Sequence, residues 1–78
     1  MVKIYTLTNC PFCQAAKQFL NNRQQEFEEI NIEKQNISRE KLIELTGGRT
    51  VPQIIIDGKS IGGFDNLMAL DQAGKLPF

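Results

Sequence analysis

Apolar and polar positions recur along this chain at two periods, and the period changes mark its elements. "MVKIYTLT" at the start alternates polar and apolar residues and is β-rich, which predicts a strand over Val2 to Leu7. "TNC" closes it before Pro11, whose fixed φ suits the first position of a helix. Phe12, Ala15, Ala16, Phe19 and Leu20 then follow the i, i+3, i+4, i+7, i+8 spacing of one buried helical face, leaving Gln14, Lys17, Gln18 and Asn21 to water, up to about Arg23. "EFEEINI" at 26 to 32 predicts a second strand with Phe27, Ile30 and Ile32 as its apolar members, while Glu28 and Glu29 leave its register open. Strand, helix, strand suggests a parallel βαβ unit.

The second half changes character. Ser38 can cap a helix, Ile37 and Leu42 stand at the two positions of a hydrophobic staple, and Gly47 supplies the stop after Thr46. "QIII" reads as a buried strand, Asp57-Gly58 as a type I′ turn and "KSI" as the returning strand of an antiparallel hairpin, so the sheet is mixed. Asp65 or the residue before it can cap a last helix that runs through Gln72, carries Leu67, Met68 and Leu70 as its apolar members and stops at Gly74. There is no repeat and no linker. A chain of 78 residues is expected to form one domain over 1–78 with a single modest core.

Composition excludes several classes of function. With 41% hydrophobic residues, nine basic and nine acidic side chains and no histidine, the chain reads as an ordinary soluble domain. Zero formal net charge argues against nucleic acid as the partner, because phosphate binding needs clustered Lys and Arg. The N-terminal stretch lacks the apolar core of a signal peptide, and no apolar run approaches a membrane span, so a cytoplasmic location and no membrane partner are expected. In that compartment thiols are kept reduced, and a close cysteine pair is reactive more often than it is a staple.

The only two cysteines stand in "NCPFCQ", as Cys10 and Cys13, at the first strand-to-helix junction. With Cys10 as N-cap and Pro11 as the first helical residue, the amides of Phe12 and Cys13 are orphan donors directed back at the Cys10 sulfur, for which a thiolate is the natural acceptor. The helix dipole adds about 0.3–1 kcal/mol in the same sense, up to ~2 when partly buried. Cys13, one turn along, is placed to attack a mixed disulfide on Cys10 and release the partner. Two bland alternatives stand beside this: a zinc half-site, which would need ligands from carboxylates or a second chain, and an inert disulfide, whose short loop would constrain little. No metal is expected.

The order βαβ, helix, β-hairpin, helix, with Cys-x-x-Cys at the first junction, resembles the thioredoxin-like fold: an α/β chain with a four-stranded mixed sheet flanked by three helices. More narrowly, "CPFC" at 10–13, "TVP" at 50–52 and "GGFD" at 62–65 resemble the dithiol glutaredoxins, and the match covers the whole chain. The resemblance implies a glutathione-dependent oxidoreductase that reduces protein disulfides and protein–glutathione mixed disulfides. It implies glutathione as co-substrate, no tightly bound cofactor and, at family level, ribonucleotide reductase among the substrates; a monomer is expected, although nothing in the sequence speaks to oligomeric state. A redoxin recharged by a flavoprotein reductase, and a dimer bridging an iron–sulfur cluster, are the two rivals.

Site roles follow from the same resemblance. Pro52 alone would be read as trans at the start of a strand; the family motif implies cis, facing the cysteines, with Thr50 and Val51 offering backbone to an extended peptide. Gly62-Gly63 alone could merely end an edge strand; in the motif, the amides of Phe64 and Asp65 beyond Gly63 hold the γ-glutamyl carboxylate, and the Asp65 carboxylate, otherwise a plain cap, faces the ligand's ammonium. Phe64, Tyr5, Phe19 and Phe27 read as core, and Glu26, Glu28, Glu29 and Glu33 as a solvated face. The chain departs from the family at Leu7, where a lysine often meets the glycyl carboxylate, and at Phe12, where tyrosine is commoner. With that lysine missing, Arg49 is the cation expected at the glycyl end.

Overall fold

The computed structural model describes residues 1–78. The chain runs β1 (Val2–Thr6), α1 (Pro11–Asn22), β2 (Glu28–Asn31), α2 (Arg39–Thr46), β3 (Gln53–Ile56), β4 (Lys59–Gly62) and α3 (Phe64–Gln72). All the expected strands and helices form, in the expected order. The sheet order is β2-β1-β3-β4, with β1 parallel to β2 and the other two pairings antiparallel. The α/β thioredoxin-like architecture, a four-stranded mixed sheet with three helices, is therefore the observed one.

Strand periodicity divides the core in two. Val2, Ile4, Ile54 and Ile56 meet Ala16 and Leu20 of α1 and Leu67 of α3, while Tyr5, Ile30 and Ile32 meet Leu42 of α2. Ile4, Leu20, Leu42, Ile54 and Leu67 are all fully buried, which contributes about 1.5–3 kcal/mol per side chain. Ile37 packs against the cluster that holds Leu42, as a hydrophobic staple requires, and Ser38 accepts the Lys41 amide at 3.1 Å. Gly47 ends α2 at φ 83°, and Asp57 and Gly58 turn the hairpin with φ 51° and 83°, both positive as a type I′ turn demands.

Two readings need correction. Phe12 is not on the buried face of α1: it is 59% exposed, and the buried residues of the helix are Cys13, Ala16 and Leu20, with Phe19 packed beside them. The last helix is capped by Gly63, not by Asp65 or Phe64; the Gly63 carbonyl accepts the Leu67 amide at 3.0 Å and its N–H donates to Asn66 Oδ1 at 3.3 Å. Asp65 therefore sits inside the first turn, where its charge still suits the dipole.

Glu29, in the acidic face, makes specific contacts. It is exposed as expected but not unpaired: it accepts hydrogen bonds from the buried Thr6 hydroxyl at 2.8 Å and from Lys17 Nζ at 3.0 Å, tying α1 to β1 and β2. Partial burial alone would raise its pKa, but those two hydrogen bonds, with the charges of Lys17 and Lys34, hold it below its ordinary value of 4.5. A depressed carboxylate contributes stability that is present above its unfolded pKa and is lost as pH falls through the folded one. Glu29→Gln is thus expected to cost under about 1 kcal/mol at neutral pH, given the exposure of the pair, and nothing once the medium is acid enough to protonate the wild-type carboxyl. Urea midpoints of both proteins between neutral pH and pH ~3 test this; a difference that stays constant over that range would refute the assignment.

Candidate active site

The first strand-to-helix junction is built locally. Asn9 takes the left-handed conformation at φ 59°, which asparagine tolerates, and Asn31 at the end of β2 donates to Thr8 Oγ1 at 3.2 Å, fixing the loop to the sheet. Cys10 follows as N-cap in an extended conformation, with Pro11 opening α1. Its Sγ accepts the backbone N–H of Cys13 at 3.2 Å. Of the two amides expected to face the sulfur, only that of Cys13 does so; the Cys10–Cys13 disulfide, with Cα atoms 5.2 Å apart, draws the sulfur toward it. Cys10 is partly exposed and Cys13 is 1% exposed, so reagents reach one sulfur and not the other. Lys17, which lies further along α1, is committed to Glu29.

Beside this junction lies a cleft of about 480 Å³. Thr50, Val51 and Pro52 form one wall, Gly62 to Asn66 the other, and Phe12 stands at the mouth. The Val51–Pro52 peptide is cis, as the family motif implied. Neither the N–H nor the C=O of Val51 takes part in a hydrogen bond outside the helices and strands. On the opposite wall the first helical bond of α3 starts from Leu67, which leaves the amides of Phe64 and Asp65 as free donors. Gly62 needs to be glycine: its φ is +102°, and a Cβ would lie 2.8 Å from the Asn66 side chain. A Cβ on Gly63 would lie 3.4 Å from the Pro52 carbonyl oxygen, so the two walls nearly touch there.

Six of the expected binding residues, Thr50, Val51, Pro52, Gly63, Phe64 and Asp65, line this one cleft. Arg49 does not line it; the residue is exposed and its carbonyl accepts a bond from Arg39 at 2.7 Å. Leu7 packs toward the Tyr5–Leu42 cluster and does not line the cleft. Phe64 packs on the core but also meets Phe12, ring centroids 6.1 Å apart, so it has a place in both. Sequence reasoning missed Arg39, whose guanidinium reaches the loop before "TVP" from the first position of α2, and it missed Gln53 and Asn66, which line the cleft. The signal for Asn66 was available, since a polar residue three positions after a helix cap commonly returns a bond to it. No three His, Cys, Asp or Glu side chains cluster so as to hold a metal ion.

A cysteine pair at the start of a helix, one sulfur open and one sheltered, beside a cleft edged with free backbone donors, defines a thiol–disulfide oxidoreductase of thioredoxin-like fold. The glutaredoxin family model matches residues 2–61, and the chain belongs to the glutaredoxin family. It is 45% identical over 75 residues to glutaredoxin 3 of Escherichia coli K12, covering 96% of this chain and 90% of that protein. It is 44% identical to a glutaredoxin of Pseudomonas aeruginosa, covering 96% of this chain and 89% of that one. Among solved structures, the buckwheat glutaredoxin–glutathione complex superposes with a TM-score of 0.87 at 30% identity, over 96% of this chain and 71% of that one. The glutaredoxin of Brucella melitensis does so with a TM-score of 0.75 at 39% identity, over 95% and 80%. The protein is accordingly a glutathione-dependent thiol–disulfide oxidoreductase, with glutathione as reductant and disulfide-bearing proteins as partners. The flavoprotein and cluster-bridging rivals are not favoured.

Proposed function

We propose that Cys10 is the nucleophile and Cys13 the resolving thiol. The observation that carries this is the N-cap geometry, in which the Cys13 amide already points at the reachable Cys10 sulfur. As a thiolate, Cys10 attacks the glutathione sulfur of a protein–glutathione disulfide; a Cys10–glutathione bond forms, the old S–S bond breaks, and the protein thiolate leaves and takes a proton. A second glutathione thiolate then attacks that sulfur, giving oxidised glutathione and free Cys10. With a protein disulfide, Cys10 forms the mixed disulfide, Cys13 displaces the substrate thiol, and two glutathiones reduce the resulting Cys10–Cys13 bond.

The cleft receives the tripeptide in an extended form. Its cysteinyl residue pairs with Val51 between Thr50 and Pro52, and its γ-glutamyl carboxylate sits on the amides of Phe64 and Asp65 beyond Gly63. The Asp65 carboxylate meets the ammonium, and the unpaired Arg49 guanidinium takes the glycyl carboxylate from the rim. The enzyme works as a single domain over 1–78 and as a monomer in the cytoplasm, with no tightly bound cofactor; no helix is long and apolar enough to cross a membrane. Ribonucleotide reductase is among its proposed substrates.

Turnover of a glutathionylated small disulfide with glutathione and its reductase tests the reading, and no turnover would sink it. Asp65→Ala refines it: KM for glutathionylated substrates is expected to rise about tenfold, the scale of one charge-assisted hydrogen bond partly screened by solvent. Protein disulfides that present no ammonium should be affected far less. Equal losses for both would reduce Asp65 to a helix-terminal charge.

A further inference from the structure

Gln53 opens β3, paired with Tyr5 on β1, and is 6% exposed. A glutamine so buried ordinarily has its amide hydrogen-bonded. This amide makes no bond to the rest of the chain, yet neither of its polar atoms is sealed from solvent. The opening is the cleft, which Gln53 lines. Its polar neighbours there are satisfied: Thr46 Oγ1 donates to the Leu42 carbonyl at 2.8 Å, and Ser60 Oγ donates to the Thr46 carbonyl at 2.5 Å. Gly48 supplies a second, independent observation. Its backbone is not in the left-handed region, so conformation does not require glycine, but a Cβ there would lie 2.8 Å from Gln53 Cδ. The glycine keeps open the space that the amide occupies.

We propose that Gln53 is a substrate-binding residue whose side-chain amide pairs with a peptide group of the thiol peptide held in the cleft. A primary amide presents N–H and C=O side by side, the complement of a peptide group in either rotamer. Being neutral, it leaves the ligand's charged ends to Asp65 and Arg49. It also explains a polar side chain left without a partner in the free protein: the partner arrives with the substrate. The inference rests on the cleft reading above. The peptide group could belong to glutathione or to polypeptide flanking the target cysteine, and the test separates the two.

Reduced protein is mixed in single-turnover experiments with three disulfides: a glutathionylated thiol, a cystine-containing peptide without glutathione, and 2-hydroxyethyl disulfide, which has no peptide group. Gln53→Met keeps the volume and removes the amide. It should leave the melting temperature equal or higher, because an unpartnered buried amide replaced by an apolar group is neutral or stabilising. It should slow the glutathionylated substrate about five- to tenfold, the scale of one or two hydrogen bonds, and leave 2-hydroxyethyl disulfide unchanged. Slowing of the cystine peptide instead assigns the contact to flanking polypeptide, and slowing of both assigns it to either source. Gly48→Ala, which displaces the amide, should reproduce the pattern and serves if Gln53→Met does not fold. A lower melting temperature in a folded Gln53→Met, equal slowing of all three disulfides, or no slowing of either peptide substrate would overturn the proposal. Asp65→Ala is run alongside. If it too leaves the glutathionylated substrate untouched, the cleft reading itself fails; if it slows that substrate and Gln53→Met does not, only Gln53 is wrong.

Discussion

Cys10→Ser is expected to abolish turnover of every substrate, while Cys13→Ser keeps deglutathionylation and loses most reduction of protein disulfides. The asymmetry follows from position. Cys10 is the reachable sulfur at the helix N-cap, where the Cys13 amide and the positive end of α1 both favour a negative sulfur. A serine hydroxyl in its place stays protonated and cannot carry the thiol exchange. Cys13 is 1% exposed under the first turn, so no bulky disulfide reaches it and its only access is to a sulfur already attached to Cys10. That duty is dispensable when the attached group is glutathione, because a second glutathione can attack from solvent. It is needed when a folded protein is attached and covers the cleft. The measurement is paired: steady-state turnover of a glutathionylated substrate and of a protein disulfide, for both variants. Should Cys13→Ser prove as inactive as Cys10→Ser on the first substrate, the two roles have been assigned wrongly.

Much of this site could be read from the chain because its parts are local. The Cys10 cap, the Pro11 start and the type I′ turn at Asp57-Gly58 each depend on a few consecutive residues, and backbone preference decides them. What escaped was set by residues distant in sequence. Phe12 fits the apolar stripe of α1 on spacing alone, but the sheet receives Cys13, Ala16 and Leu20, and the aromatic turns out beside Phe64, which arrives 52 positions later. The pairing of Glu29 escaped because its partners, Lys17 and Thr6, belong to a helix and to another strand. Gln53 read as one member of "QIII"; only the cleft shows that its amide has no partner. The family motifs named the cleft walls before the fold was known, which periodicity could not have done, since Thr50 to Pro52 and Gly62 to Asp65 meet only when the hairpin folds back against α3.

Leu67→Ala should carry the largest stability penalty of the substitutions considered, about 2–5 kcal/mol, with a fall in melting temperature of roughly 10–30 °C for a domain of this size. Leu67 is fully buried and joins α3 to Ile4 and Ile54 of the sheet and to Leu20 of α1, so its removal leaves a void that several rigid elements cannot close. Its effect should extend to function. The Leu67 amide makes the first bond of α3 to the Gly63 carbonyl, so the side chain that anchors the helix belongs to the turn that presents the Phe64 and Asp65 amides to the cleft. Below its melting point, the variant should therefore show a raised KM for glutathionylated substrates, while the pre-reduced protein attacks 2-hydroxyethyl disulfide, which makes no use of those amides, at nearly the wild-type rate in a single turnover without glutathione. Leu70→Ala on the same helix is the control: that side chain is only half-buried and lies outside the main cluster, so both effects should be much smaller. Urea and thermal unfolding of the three proteins, with the two kinetic assays, make the comparison. A Leu67→Ala protein that melts within a few degrees of wild type would mean that α3, and with it the γ-glutamyl side of the cleft, is held in place by something other than this core contact.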